Sequence, residues 1–178
     1  MWRNSKDRFG TITKSFHWVM AFLILAMFGM GRYMTGLPPS RDLIYYYGLH
    51  KSFGILLIAL IVMRIFWRKS NPTPKPLGDD ARANRLAEIM HRILYLLMVL
   101  VPLLGWAGSS ASGLGASFFN LLNMPNIAPE NETLELILFR IHEIAATLLV
   151  ILALAHAGAA LYRHFIKRDD TLRRMTIR

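Results

Sequence analysis

Apolar residues along this chain gather into four long runs separated by polar segments. The runs cover about residues 16–34, 44–67, 89–109 and 138–162, each close to the roughly 20 residues that cross a bilayer core as a helix. One such run would suit the buried helix of a soluble domain. Four within 178 residues leave too little polar surface to cover a soluble core. The pattern predicts an all-α fold, an integral membrane four-helix bundle formed by residues 1–178 as a single domain. Between the second and third spans, "RKSNPTPKPLGDDARANR" is proline-rich and charged, and reads as an extended cytoplasmic loop over about residues 68–88. The first span follows a basic leader, "MWRNSKDRFGTITK", and precedes "GRYMTGLPPSRD", which offers no convincing small-residue cleavage site. It is therefore expected to stay in place as a signal anchor.

Composition narrows the chemistry. Of the residues, 54% are hydrophobic and none is cysteine, so disulfides, thiolate metal sites and cysteine nucleophiles are excluded. Redox chemistry would need a bound cofactor. A net charge of +10 raises nucleic acid as a partner, but the cations are distributed in another way. Seventeen lysines and arginines fall in three segments: the leader, the stretch from Arg64 to Arg92, and the tail from Arg163 to Arg178. The alternate segments hold Arg32, Arg41, Lys51 and Arg140 only, and the loop near residues 110–136 has no cation. This is the positive-inside pattern, with both termini cytoplasmic. Split among three segments and lacking interleaved aromatics, the charge does not make a nucleic-acid surface.

On that topology the histidines fall into an ordered arrangement. In "HEIAATLLVILALAH", His142 and His156 bound an almost wholly apolar stretch of the fourth span. Fourteen helical steps separate them by roughly 21 Å with only about 40° of rotation, so they share one face near opposite ends of the bilayer core. His17 lies at the inner end of span one and His50 at the outer end of span two. One pair can then form near each membrane face, His17 with His156 inside and His50 with His142 outside. Any one of these rings alone would pass as an interfacial packing residue. Two matched pairs along a shared helix are harder to read so, because ionisable groups inside a membrane are costly. A protein-only metal site gathers three or four ligands, often at i, i+4 spacing that is absent here. Two axial ligands from facing helices suit a haem iron.

Small residues one turn from the rings, Ala145 and Ala146 beside His142, and Ala153, Ala159 and Ala160 beside His156, leave space for a flat macrocycle. They equally allow close helix packing. Gly29, Gly31, Gly105 and Gly108 carry the same two readings. Lys51 and Arg140 are candidate partners for haem propionates at the outer face, or simple interfacial anchors. Arg64 and Arg163 read as cations that snorkel to the surface. His91, at the inner start of span three, has three readings: interfacial residue, alternative inner ligand, or proton relay to a quinone. His164 reads as structural.

"FHWVMAFLI", "GLHKSFGILLIALIVMRIFWR" followed by "NPTPKP", "HEIAATLLVILALAH" and the terminal "KRDDTLRRM" together resemble the bacterial cytochrome b561 family, from about residue 8 onward. These are small dihaem membrane cytochromes related to the cytochrome b subunits of nickel–iron hydrogenases. The family's four ligand positions fall on His17, His50, His142 and His156. The resemblance implies two haem b groups, a bacterial inner (cytoplasmic) membrane location, and exchange of electrons with ubiquinone. Some members oxidise superoxide; the outer loop contains no motif for that activity. The reading is therefore a membrane electron-transfer cytochrome fed by superoxide or a redox protein. Two rivals stay open: a dihaem subunit of a larger dehydrogenase or hydrogenase complex, and a colourless transporter or assembly factor. Against a transporter, the spans have no clear inverted repeat or paired broken helices.

Overall fold

The computed structural model describes residues 1–78 and 80–176; Arg178, counted above among the inner cations, lies outside them. Four helices dominate: α1 (Thr11–Met34), α2 (Arg41–Lys69), α3 (Ala81–Ala111) and α4 (Glu132–Phe165). All four are long and apolar enough to cross a membrane. Large apolar side chains such as Phe22, Phe66, Leu136 and Phe165 point outward from them, as expected where the surrounding solvent is lipid. The expected four-helix membrane bundle is the architecture found.

Each helix outruns its apolar run, because polar caps extend it beyond the hydrophobic stretch. Ser40, Asp80 and Asn131 accept hydrogen bonds from backbone N–H groups in the first turns of α2, α3 and α4. For α1 the leader takes that role: Thr11 N–H donates to the Met1 carbonyl and Ile12 N–H to that of Trp2. This fold-back needs glycine at position 10, where a Cβ would lie 2.4 Å from the Trp2 carbonyl oxygen. Asn4 locks the turn by accepting from Gly10 N–H and the Thr13 hydroxyl.

Even-numbered crossings return the chain to its starting face, and the leader, the loop after α2 and the tail are tied together there. Asn4 donates to the Pro72 carbonyl, Lys75 N–H to that of Lys6, and Arg174 to that of Lys75. Lys14 and Trp18 of α1 donate to the tail carbonyls of Thr176 and Met175. Arg163 does not snorkel into solvent. It pairs with Asp169 at 2.7 Å and donates to the Leu77 carbonyl, binding tail to loop.

At the opposite end the chain departs from a purely helical reading. Residues Ala116–Phe118 (β1) and Leu122–Met124 (β2) form a short antiparallel hairpin. It lies over α2, where buried Ser52 accepts from Phe119 N–H and its hydroxyl contacts the carbonyls of Gly48 and Ser117. The core runs between α3 and α4, with Leu94, Leu97 and Leu149 at its centre and Ile24 of α1 against them. This packing fixes the rotation of α4, which carries two of the four paired histidines.

Candidate functional site: two histidine clusters

At the hairpin end, His50 of α2 faces His142 of α4, with ring centroids 6.2 Å apart. At the termini end, His156 of α4 meets two rings: His17 of α1 at 6.3 Å and His91 of α3 at 5.1 Å. The shared face expected for His142 and His156 thus meets a second ring at each end. A pair of imidazoles bound on opposite sides of one metal needs centroids roughly 6 Å apart, given metal–nitrogen bonds of about 2 Å on each side. The His17–His156 and His50–His142 separations meet that requirement. The shorter His91–His156 distance does not leave room for such a linear arrangement.

Ring chemistry agrees with this assignment at the hairpin end. His142 Nδ1 lies 2.8 Å from the Val101 carbonyl oxygen, which can only accept, so Nδ1 carries the proton. The lone pair is thereby left on Nε2, the state a metal-binding imidazole needs. His50 Nδ1 is buried with no protein partner, and a buried polar atom in that state is rare unless another group engages it.

A cavity of about 570 Å³ opens between the helices at this end. His50, His142, Gly31, Gly105 and Ala146 line it, with apolar Met27 and Leu149 deeper in. Small residues have different jobs here. A Cβ at Gly105 would lie 3.0 Å from the His142 ring and one at Gly31 would touch the His50 ring, whereas Gly108 makes room for Phe139. A Cβ at Gly29 would meet nothing within 4 Å. Charged side chains ring the cavity's edge. Glu143 pairs with Arg32 at 3.2 Å and with Arg140 at 2.8 Å, while Lys51 donates to the Gly115 carbonyl. Among the described residues, no group of three or more histidines and carboxylates is arranged to hold a metal ion by itself. Paired axial nitrogens beside an apolar slot therefore fit a macrocycle that brings its own equatorial ligands.

The model of the prokaryotic cytochrome b561 family matches residues 8–177. The chain belongs to that family. Cytochrome b561 homolog 2 of Escherichia coli K12 is 35% identical over 97% of this chain and 93% of its own. Cytochrome b561 homolog 1 of the same strain is 32% identical, covering 95% and 97%. A Yersinia pestis protein named probable superoxide oxidase CybB is 28% identical over 89% of this chain and 90% of its own. With four spanning helices, this b561-family chain is a multi-pass membrane protein of prokaryotic electron transfer. The family implies haem b, and the histidine pairs and the cavity fit that group.

Two contacts near the cluster at the termini end go further than the sequence reading. That of His91 with His156 depends on how α3 is rotated in the bundle. The other joins Arg64 to Tyr95, with Arg64 Nε donating to the Tyr95 hydroxyl at 2.9 Å. A lone arginine within an otherwise apolar run was the available signal for it. His164 sits apart from both clusters, against Phe165.

Proposed function

We propose that this b561-family chain carries single electrons across the bacterial inner membrane through two haem b groups. His17 and His156 would hold one near the cytoplasmic face, and His50 and His142 the other near the outer face. The observation that carries the reading is the pair of near-equal ring separations, 6.3 and 6.2 Å, at opposite ends of one helix. Haem iron with both axial positions filled by protein changes oxidation state by one electron and keeps no open site for oxygen. The chain's part is to hold the rings, fix the tautomer of His142 through Val101, and exclude water with the apolar flanks of α3 and α4. Both termini lie in the cytoplasm, by the positive-inside distribution of charge, and ubiquinone is the membrane-soluble electron partner.

Superoxide is a second candidate donor. The name of the Yersinia relative favours it, as do the cations Arg32, Lys51 and Arg140 around the outer cavity. Glu143 offsets part of that positive field, so attraction of a small anion would rest chiefly on Lys51 and the unbalanced arginine charge.

The test is a reduced-minus-oxidised spectrum with pyridine haemochrome quantitation. Two haems per chain are expected, with one or both lost in each of His17→Ala, His50→Ala, His142→Ala and His156→Ala. His91→Ala is expected to keep both. Purified protein without iron porphyrin, from cells able to make it, would overturn the proposal. Two undisturbed haems in His142→Ala would overturn the outer pairing alone.

A further inference from the structure

Four arginines, Arg32, Arg64, Arg92 and Arg140, lie within the apolar runs, and of these Arg64 alone is half-buried. It lies in α2 inside the apolar run, and its guanidinium turns into the bundle rather than toward the surface. Nε donates to the Tyr95 hydroxyl of α3, and Nη1 lies 4.0 Å from the sulfur of Met20, which is almost wholly buried. The guanidinium carbon also sits 5.5 Å from the centre of the Tyr95 ring. Arg68 lies at the same 5.5 Å from that ring, so it is the hydrogen bond to the Tyr95 hydroxyl that fixes the direction of the Arg64 group.

Charge balance is missing there. Among the described residues, carboxylates pair with Arg32, Arg92, Arg140, Arg163 and Arg173, and with no atom of Arg64. A cation held inside a bilayer without a counter-ion is costly, and such residues normally face an anion or a polar cavity. Met20 sulfur is a weak acceptor and a tyrosine hydroxyl is neutral. One edge of the guanidinium fork remains for a planar, bidentate anion, for which arginine geometry is suited.

We infer that Arg64 is the carboxylate receptor of the inner site, binding a propionate of the haem held by His17 and His156, with Tyr95 as its positioning residue. This rests on the two-haem reading above. Arg64 also acts through its field. A fixed positive charge beside the inner haem favours the reduced state, so it raises that haem's midpoint potential.

Spectroelectrochemical titration of purified full-length protein tests this. The parent protein is expected to give two waves; the one displaced by Gly105→Ala, which crowds His142, belongs to the outer haem. Arg64→Gln is expected to move the other wave downward and leave the outer wave in place. Tyr95→Phe is expected to move the same wave in the same direction by less. Unchanged waves in Arg64→Gln, or displacement of the outer wave instead, overturn the inference. Should Arg64→Gln lose the inner haem, Tyr95→Phe decides: a downward move of that wave supports the inference, and an unmoved wave overturns it. A parent with fewer than two haems would reject the two-haem reading itself, a result separate from any effect of Arg64.

Discussion

Gly105 has the least freedom of any position beside the histidines. An added Cβ would stand 3.0 Å from His142 Cε1 and 3.1 Å from Nδ1, while the same ring is held by its 2.8 Å bond to the Val101 carbonyl. Replacing glycine by alanine inside a helix gains about 1 kcal/mol in propensity. Overpacking of a tight site costs about 1–3 kcal/mol, so the net effect opposes folding at this site and falls on the His142 ring. If each histidine pair holds a haem, as proposed, Gly105→Ala is expected to keep both and to shift the potential of the outer one, at the hairpin end. Gly105→Leu, too large to be met by a small ring movement, is expected to lose the outer haem; normal haem content in Gly105→Leu would refute the close approach. In the sequence, Gly105 and Gly29 look alike, each a small residue within an apolar run. Only the packing of α3 on α4 sets them apart, since Gly29 has open space around it.

Elements were legible to different degrees, for physical reasons. The helices announce themselves because the bilayer demands long apolar runs and the chain meets that demand four times. Their ends are less legible, since Ser40, Asp80 and Asn131 extend helices into polar sequence by local hydrogen bonds. The hairpin was not anticipated. Its strands are three residues each, and it is anchored through side chains of other elements, Ser52 foremost. That hydroxyl is 3% exposed and accepts from Phe119 N–H at 2.9 Å. Alanine there would leave the N–H without a partner, at a cost of about 1–3 kcal/mol. Ser52→Ala is expected to lower the thermal midpoint and speed protease cleavage between residues 112 and 130, with haem content preserved. Cleavage at the parent rate would mean that Lys51, which donates to Gly115, and Phe53, which meets Phe119 edge-on, hold the hairpin without it.

For the molecule as a whole, the two ends are built from opposite materials. One end is a basic knot in which Lys14, Arg163 and Arg174 donate to carbonyls of the tail and of the 71–78 loop. The other is a hairpin cap with Glu130, Glu132 and Glu135 following it and no cation between residues 110 and 136. Lysine and arginine near span ends are retained on the cytoplasmic side during insertion, so this polarity is expected to orient the protein and, with it, the two histidine pairs. The orientation can be measured directly because the chain has no cysteine of its own. Leu121, 83% exposed at the hairpin turn, and Lys167, exposed just beyond α4, are suitable single-cysteine positions. A membrane-impermeant maleimide added to spheroplasts is expected to label Leu121→Cys at once, and Lys167→Cys only after the membrane is opened. The reverse order would invert the bundle, put the His50–His142 pair on the cytoplasmic side, and remove the basis for electron entry from an external donor at that cavity.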